Sequence, residues 1–165
     1  MKSNSDDKAM QDGFNLEGFL PYRLSVTSNR VSRLFAKQYS TQFGLTIPEW
    51  RVLAIIGQFG TLSPTMVGAY AAMDKVKVSR AAATLVARGL LKQSPDPKDG
   101  RGRLLRLTRK GTTVHGGVVP LAQEIEATLA QGLTRAEWTA LNKVLVKLNM
   151  HVMAIEGPDP GDATD

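Results

Sequence analysis

DPKDGRGRLLRLTRKG, residues 96–111, decides how the rest of the chain is read. Just before it, LLKQS is followed by Pro95-Asp-Pro-Lys-Asp-Gly-Arg-Gly and then RLLRLT, so a run of turn formers separates two short apolar stretches. The pattern predicts a two-stranded β-ribbon whose loop is longer than a two-residue turn. Leu105 and Leu107 alternate with Arg106, which puts apolar groups on an inner face. Cations crowd the same stretch: Lys98, Arg101, Arg103, Arg106, Arg109 and Lys110.

Working back from the ribbon, DKVKVSRAAATLVARG reads as a helix capped by Asp74 and closed at Gly89. SPTM, with Ser63 as N-cap and Pro64 at the first helical position, opens a shorter helix ending near Met73. In LTIPEW, Thr46 and Glu49 have capping-box spacing. A helix of about twelve residues is expected from there, through Trp50, Leu53 and Ile56 to Gly60. Further back, Leu20 to about Gln42 has helical periodicity, with Leu24, Val31, Leu34, Phe35 and Tyr39 on one stripe and a stop at Phe43-Gly44.

Forward of the ribbon, helix resumes after Thr108 and continues to about Gln131, with Val114, Val118, Leu121 and Ile125 on its apolar side. Gly116, Gly117 and Pro120 fall inside it and predict a kink. LTRAEW, with Thr134 and Glu137, is a second capping box. The helix it opens places Trp138, Leu141, Leu145, Leu148, Val152 and Ile155 three and four residues apart, the seam of a helix that packs on another helix. LTIPEW and LTRAEW share a start signal, but the helices they open differ in sequence, and there is no internal repeat. The order is four helices, a β-ribbon and two helices. The expected fold is therefore mainly α with a small β-wing: a winged helix-turn-helix lobe plus a helical lobe.

Charge is distributed on the same plan. The net charge is +6, yet Asp74–Lys110 alone holds eleven Lys or Arg against three acidic residues, a local +8 that leaves −2 for the remainder. A basic band on a nearly neutral body points to a polyanionic partner met at one place. On the Asp74 helix, Val78, Ala82, Leu85 and Val86 point one way, and Val76, Lys77, Arg80, Ala83, Thr84 and Ala87 the other. The second face is flat and cationic, suited to a major groove roughly 12 Å wide. Arg80 suits a guanine edge, Thr84 a base or phosphate, and Val76 or Ala83 a thymine methyl. Lys75 and Ser79, near the helix start, suit phosphates. Arg101, between Gly100 and Gly102, suits a narrow minor groove, with Lys98 beside it and Arg103, Arg106, Arg109 and Lys110 along flanking phosphates. Asp99 reads as a partner holding Arg101 or a neighbouring arginine. Taken singly, each cation also reads as a solvated surface charge or an ion pair. Their meeting on one scaffold is what favours nucleic acid.

Other classes find little support. Without cysteine there is no disulfide framework, thiolate metal site or cysteine redox switch. The first residues lack the apolar run of a signal peptide, and no stretch approaches the roughly 18 apolar residues of a membrane span. A cytoplasmic protein without membrane contact is expected. The two histidines, His115 and His151, fit no metal or triad pattern, and Gly100-Arg-Gly102 falls short of a phosphate-binding loop. Neither enzymatic activity nor a cofactor is expected.

In order and spacing, LTIPEWRVLAII, MDKVKVSRAAATLVARGLL and DPKDGRGRLLRLTRKG resemble the MarR family of bacterial transcriptional regulators, a likeness covering about Leu20 to Met150. Its most specific part is the wing pattern D-x-x-D-x-R-x-x-x-L-x-L-T-x-x-G, here Asp96, Asp99, Arg101, Leu105, Leu107, Thr108 and Gly111. The resemblance implies a homodimer on a near-palindromic double-stranded DNA operator. The winged domain would span 45–110, with dimerisation helices at 16–44 and 111–155 and disordered tails at 1–15 and 156–165. It implies that the Asp74 helix is the recognition helix and Arg101 the wing-tip arginine. Family members that sense oxidants through cysteine are no guide here. Many others release DNA on binding a small aromatic acid or related compound in a crevice between the lobes. By position, Tyr22, Arg23, Ser28, Trp50 and His115 would line it, with Arg23 pairing a carboxylate and Trp50 stacking on a ring. Against that, Trp50 also reads as core and His115 as a surface or hydrogen-bonded residue. Repression is the commoner outcome in the family. The alternative is a winged-helix module for protein or RNA contacts without operator specificity.

Overall fold

Each predicted start signal begins a helix. In this computed structural model, which describes residues 14–157, the order is α1 Leu20–Phe43, α2 Ile47–Phe59, α3 Pro64–Ala71, α4 Lys75–Ala87, β1 Leu91–Pro95, β2 Arg103–Leu107, α5 Arg109–Ala130 and α6 Arg135–Glu156. The tails expected at 1–15 and 156–165 lie, but for two residues each, outside the described residues. By packing, the chain divides into two units, the first ending at Leu121 and the second beginning at Ala122.

Local chemistry accounts for the helix boundaries in the first unit. The α2 capping box is closed on both sides: Glu49 N–H donates to Thr46 Oγ1 at 3.4 Å, and Thr46 N–H donates to Glu49 Oε2 at 3.0 Å. Ser63 Oγ accepts from Met66 N–H at 3.2 Å, and Asp74 Oδ1 accepts from Lys77 N–H at 2.8 Å. Gly44 takes a left-handed conformation, φ 62°, and ends α1 with its N–H on Ser40 O. The turn between α3 and α4 also needs a left-handed residue, and here Ala72 supplies it at φ 49°. For a residue with a Cβ that conformation costs roughly 1–2 kcal/mol.

The core gathers around α2, whose Val52, Leu53 and Ile56 are buried. Val67 of α3, Val78, Ala81, Ala82 and Leu85 of α4, and Leu91 and Leu105 of the ribbon join the same cluster, as do Tyr39 of α1 and Val118 of α5. Burial of each large aliphatic side chain contributes about 1.5–3 kcal/mol. On α4, Val78, Ala82 and Leu85 turn inward as the wheel predicts; Ala81 is buried with them, and Val86 is half-buried. The stripe predicted along α1 divides: Tyr39 is buried and Phe35 half-buried, whereas Leu24 and Leu34 are exposed.

The strands pair antiparallel, Leu91 opposite Leu107 and Pro95 opposite Arg103. A third segment joins them, not signalled in the sequence. Leu62 N–H donates to Leu105 O at 3.1 Å and Leu105 N–H to Leu62 O at 2.8 Å, so the α2–α3 connection becomes a one-residue extension of the sheet. The wing is thereby tied to the helix-turn-helix through backbone.

α5 extends from Arg109 to Ala130 with Pro120 inside it. In the second unit, α6 opens on the predicted capping box, with Thr134 N–H donating to Glu137 Oε2 at 2.7 Å. None of its residues is buried. Leu141, Leu145, Val152 and Ile155 of the predicted seam stand 42%, 43%, 42% and 71% exposed, an apolar row without cover.

Candidate nucleic-acid interface

The solvent side of α4 carries Lys75, Val76, Lys77, Ser79, Arg80, Ala83, Thr84 and Ala87, all of them exposed. Small side chains keep this face low around the Arg80 guanidinium. Two of its polar groups are already engaged. Thr84 Oγ1 donates to Arg80 O at 3.1 Å, which ties the hydroxyl hydrogen to its own helix. Lys77 Nζ lies 3.1 Å from Asp74 Oδ2. The Lys77 backbone N–H, and then its ammonium, hold the Asp74 carboxyl below its usual range, so it is an anion at neutral pH. An exposed pair of this kind is worth little and yields readily to a stronger anion.

The wing loop is shaped by its two aspartates. Asp96 Oδ1 accepts from Lys98 N–H at 2.9 Å, and Asp99 Oδ1 accepts from Arg101 N–H at 3.0 Å. Gly102 N–H donates to Asp99 O at 2.9 Å, and Asp96 N–H to Gly102 O at 3.1 Å. Asp99 thus holds Arg101 by its backbone, and no arginine side chain pairs with it. Among the described residues the ion pairs are Lys77–Asp74 and Arg88–Glu49, so the Arg101 guanidinium has no carboxylate on it. Gly102 sits in a tight place: a Cβ there would lie 3.0 Å from Asp96 Cβ and 3.2 Å from Asp99 Cβ, so both aspartates would have to give way. Gly100 has open space around it.

Lys98, Arg101 and Arg103 are exposed, and Arg103 Nη1 donates to Gly102 O at 3.2 Å. The register adds Lys92, which the sequence does not single out. It lies directly across the ladder from Arg106, and both are exposed. Like charges opposed in this way destabilise a sheet and suit a surface that meets a polyanion. Pairing is not visible in sequence until the loop length is known. Two cations of the basic band also bond within the chain. Lys110, expected along the phosphates, donates Nζ to Arg88 O at 3.0 Å, and Arg88 itself is spent on backbone carbonyls at the end of α1.

Of the residues expected to line an effector crevice, Trp50 and His115 do meet. Their rings stack with centroids 5.9 Å apart at 24°. Phe35 and Tyr39 complete an aromatic group around Trp50, each with its centroid 5.9 Å from it. Burial holds the His115 imidazole below its ordinary pKa, favouring the neutral ring, and pushes the Tyr39 phenol up against the opposing pull of Arg51. Gly57 makes room for the stack, because a Cβ there would run into the His115 ring. Tyr22, Arg23 and Ser28 are exposed on the N-terminal part of α1. On a helix rising 1.5 Å per residue, Tyr22 is about 20 Å and Ser28 about 10 Å from the level of Phe35. The five residues therefore do not form one cluster within a single chain. Arg51, whose charge acts on the Tyr39 phenol, is half-buried, with Nη2 donating to Ser32 Oγ at 3.4 Å. In sequence its only signal is its place next to Trp50.

Comparison with known proteins agrees with this architecture. The sequence profile of the MarR family matches residues 43–102, from the end of α1 through the wing loop. The chain is 26% identical to the HTH-type transcriptional repressor IacR of Pseudomonas putida over 144 residues, 87% of this chain and 86% of that protein. It is also 25% identical to the multiple antibiotic resistance protein MarR of Escherichia coli, covering 86% of this chain and 98% of that one. Among solved structures it superposes on BpsR of Bordetella bronchiseptica, whose DNA binding is regulated by 6-hydroxynicotinic acid. That match has a TM-score of 0.73 at 28% identity, over 83% of this chain and 97% of the other. The likeness to the MarR family that the wing and the α4 stretch suggested therefore extends to fold and sequence together. The relatives are transcriptional regulators, and no enzyme family is indicated.

Proposed function

Proceeding from this likeness to the MarR family, we propose that the chain is a dimeric, sequence-specific DNA-binding transcriptional regulator, a repressor released by a small aromatic or anionic effector. The observation that carries the reading is a flat, exposed cationic face on α4 together with a wing whose tip arginine is free of carboxylates and held at its backbone by Asp99. Arg80 supplies bidentate donors for a guanine edge, and Val76 and Ala83 supply methyl contacts to thymine. Lys75, Lys77 and Ser79 bind phosphates at the start of the helix, and Thr84 accepts from a base or meets the backbone. Arg101 enters the minor groove, with Lys98 and Arg103 on its flanks.

Two copies are needed to present two such helices roughly 34 Å apart on a near-palindromic operator. The exposed apolar row of α6 and, separately, the open Leu20, Leu24 and Leu34 of α1 each offer apolar side chains for that association. Covering it with a second copy removes apolar area from water at about 25 cal/mol per Å². For the effector, the Trp50–His115 stack offers a ring surface and Arg51 a cation for a carboxylate. An aromatic acid, like the 6-hydroxynicotinic acid that regulates BpsR, has a ring for the first group and a carboxylate for the second. Tyr22, Arg23 and Ser28 join such a site only if another part of the dimer brings them to it. Effector binding weakens operator affinity to the extent that it favours a different arrangement of the two recognition helices.

The test is binding to a duplex from the gene's own upstream intergenic region and to a scrambled duplex, across a salt series. Tight binding to the first with a steep salt slope is expected. Equal, weak binding to both would replace this reading with a winged-helix module for protein or RNA contacts.

A further inference from the structure

The C-terminal end of α4 is fastened by one side chain. Arg88 Nη2 donates to Phe43 O at 2.7 Å and Nη1 donates to Gly44 O at 2.9 Å, both at the C-terminal end of α1. Nη1 also lies 3.7 Å from Glu49 Oε2, the carboxylate of the α2 capping box, which is itself buried. The Arg88 backbone N–H closes the last turn of α4 on Thr84 O at 3.0 Å, and its carbonyl accepts from Lys110 Nζ at 3.0 Å. One residue thus touches the end of α1, the start of α2, the end of α4 and the start of α5.

The chemistry explains why arginine stands there. The last carbonyls of a helix have no partner within it and carry the negative end of its dipole. A planar guanidinium reaches two such oxygens and a carboxylate at once, which an ammonium on a flexible stem does not. The α1 terminus is held from the other side too. The Phe43 ring lies over Gly117 of α5, where an added Cβ would come within 2.7 Å of its Cζ.

We propose that Arg88 is a positioning residue for DNA binding. It makes no contact with DNA; it sets the seat of α4 against the end of α1, so that Arg80 and its neighbours meet base edges in register. The proposal rests on the regulator reading above, and it gives a long-range purpose to a cation that by sequence belongs to the basic band.

The test uses the full chain with the upstream and scrambled duplexes, and the variants R88Q, R88K and E49Q. R88Q removes the charge and the fork. It is expected to lower upstream-duplex affinity about ten- to a hundredfold, the range over which charge-assisted hydrogen bonds are felt. Affinity for the scrambled duplex and both salt slopes should stay at wild-type values, because no phosphate contact is lost. R88K should recover part of the loss. E49Q leaves α4 and the Arg88 contacts to the end of α1 in place and weakens the carboxylate side of the joint together with the Thr46 cap of α2, so it should show the same pattern more weakly, and it carries the test if R88Q does not fold. A salt slope reduced by about one would make Arg88 a phosphate contact and overturn the proposal. So would wild-type discrimination between the duplexes in all three variants. Failure of the wild-type protein itself to prefer the upstream duplex would instead remove the regulator reading, and the positioning role with it.

Discussion

Replacing Gly111 by alanine adds one methyl group at the start of α5, at a site with no room for it. Gly111 is buried, and its N–H donates to Thr108 Oγ1 at 3.0 Å. A Cβ at this position would run into Leu90 O and lie 3.0 Å from Leu90 C and 3.3 Å from Leu107 Cδ2. The carbonyl cannot retreat freely, because it accepts from Thr108 N–H at 3.1 Å, while the Thr108 hydroxyl hydrogen is held by Gly89 O at 2.6 Å. Opening that hydrogen bond at about 1 kcal/mol, with about 1–3 kcal/mol for overpacking a filled site, puts the cost at about 2–4 kcal/mol. That is a large part of the roughly 5–15 kcal/mol that stabilises a domain. Gly116 offers the control. It lies on the same helix, exposed and with open space around it, so Gly116→Ala should gain about 0.5–1 kcal/mol from helix propensity. Urea unfolding of both variants at one protein concentration separates the outcomes. Gly111→Ala should shift the midpoint down sharply with an unchanged slope, and Gly116→Ala slightly up. A Gly111→Ala protein within about 0.5 kcal/mol of wild type would refute the claim that the wing and α5 are locked at Leu90.

Ala72→Gly should stabilise the protein by about 0.5–1 kcal/mol, because glycine accepts the left-handed conformation of the α3–α4 turn without the penalty of a Cβ; a lower melting temperature would contradict this. Arg101→Ala should weaken operator binding by about 1–3 kcal/mol while the dimer persists in sedimentation, and wild-type affinity would take the wing out of the interface. Burial holds His115 below 6.5, so the unfolded chain takes up its proton first as pH falls. Its contribution is present in full above that value and is lost on acidification below it, down through the folded pKa. Denaturation curves from pH 7 to 5 should therefore be flatter for His115→Gln, and identical pH dependence in both proteins would show that another group dominates. A chain ended before Thr134 should run as a monomer or precipitate; a soluble, tight dimer would mean that α6 serves another purpose.

The helix starts were legible because their chemistry is local. Thr46 with Glu49, Ser63 with Met66, Asp74 with Lys77 and Thr134 with Glu137 each bond across three residues, so the sequence contains both partners side by side. The alternation of Leu105, Arg106 and Leu107 and the turn formers at 95–102 likewise specify a ribbon without help from elsewhere. The basic character of Asp74–Lys110, and with it the case for a polyanion, is a property of composition. What the sequence could not say is which cations are free. Arg88 finds its carbonyls 44 and 45 residues away, and Lys110 finds the Arg88 carbonyl 22 residues back. Lys92 meets Arg106 only because the loop sets the register, and His115 reaches Trp50 only because Gly57 leaves room for its ring. A hydrogen bond to a helix end depends on where that end lies in space. Tertiary packing decides this: neighbouring residues suffice for the helices, the wing and the basic band, and only the folded chain shows which cations already bond within it.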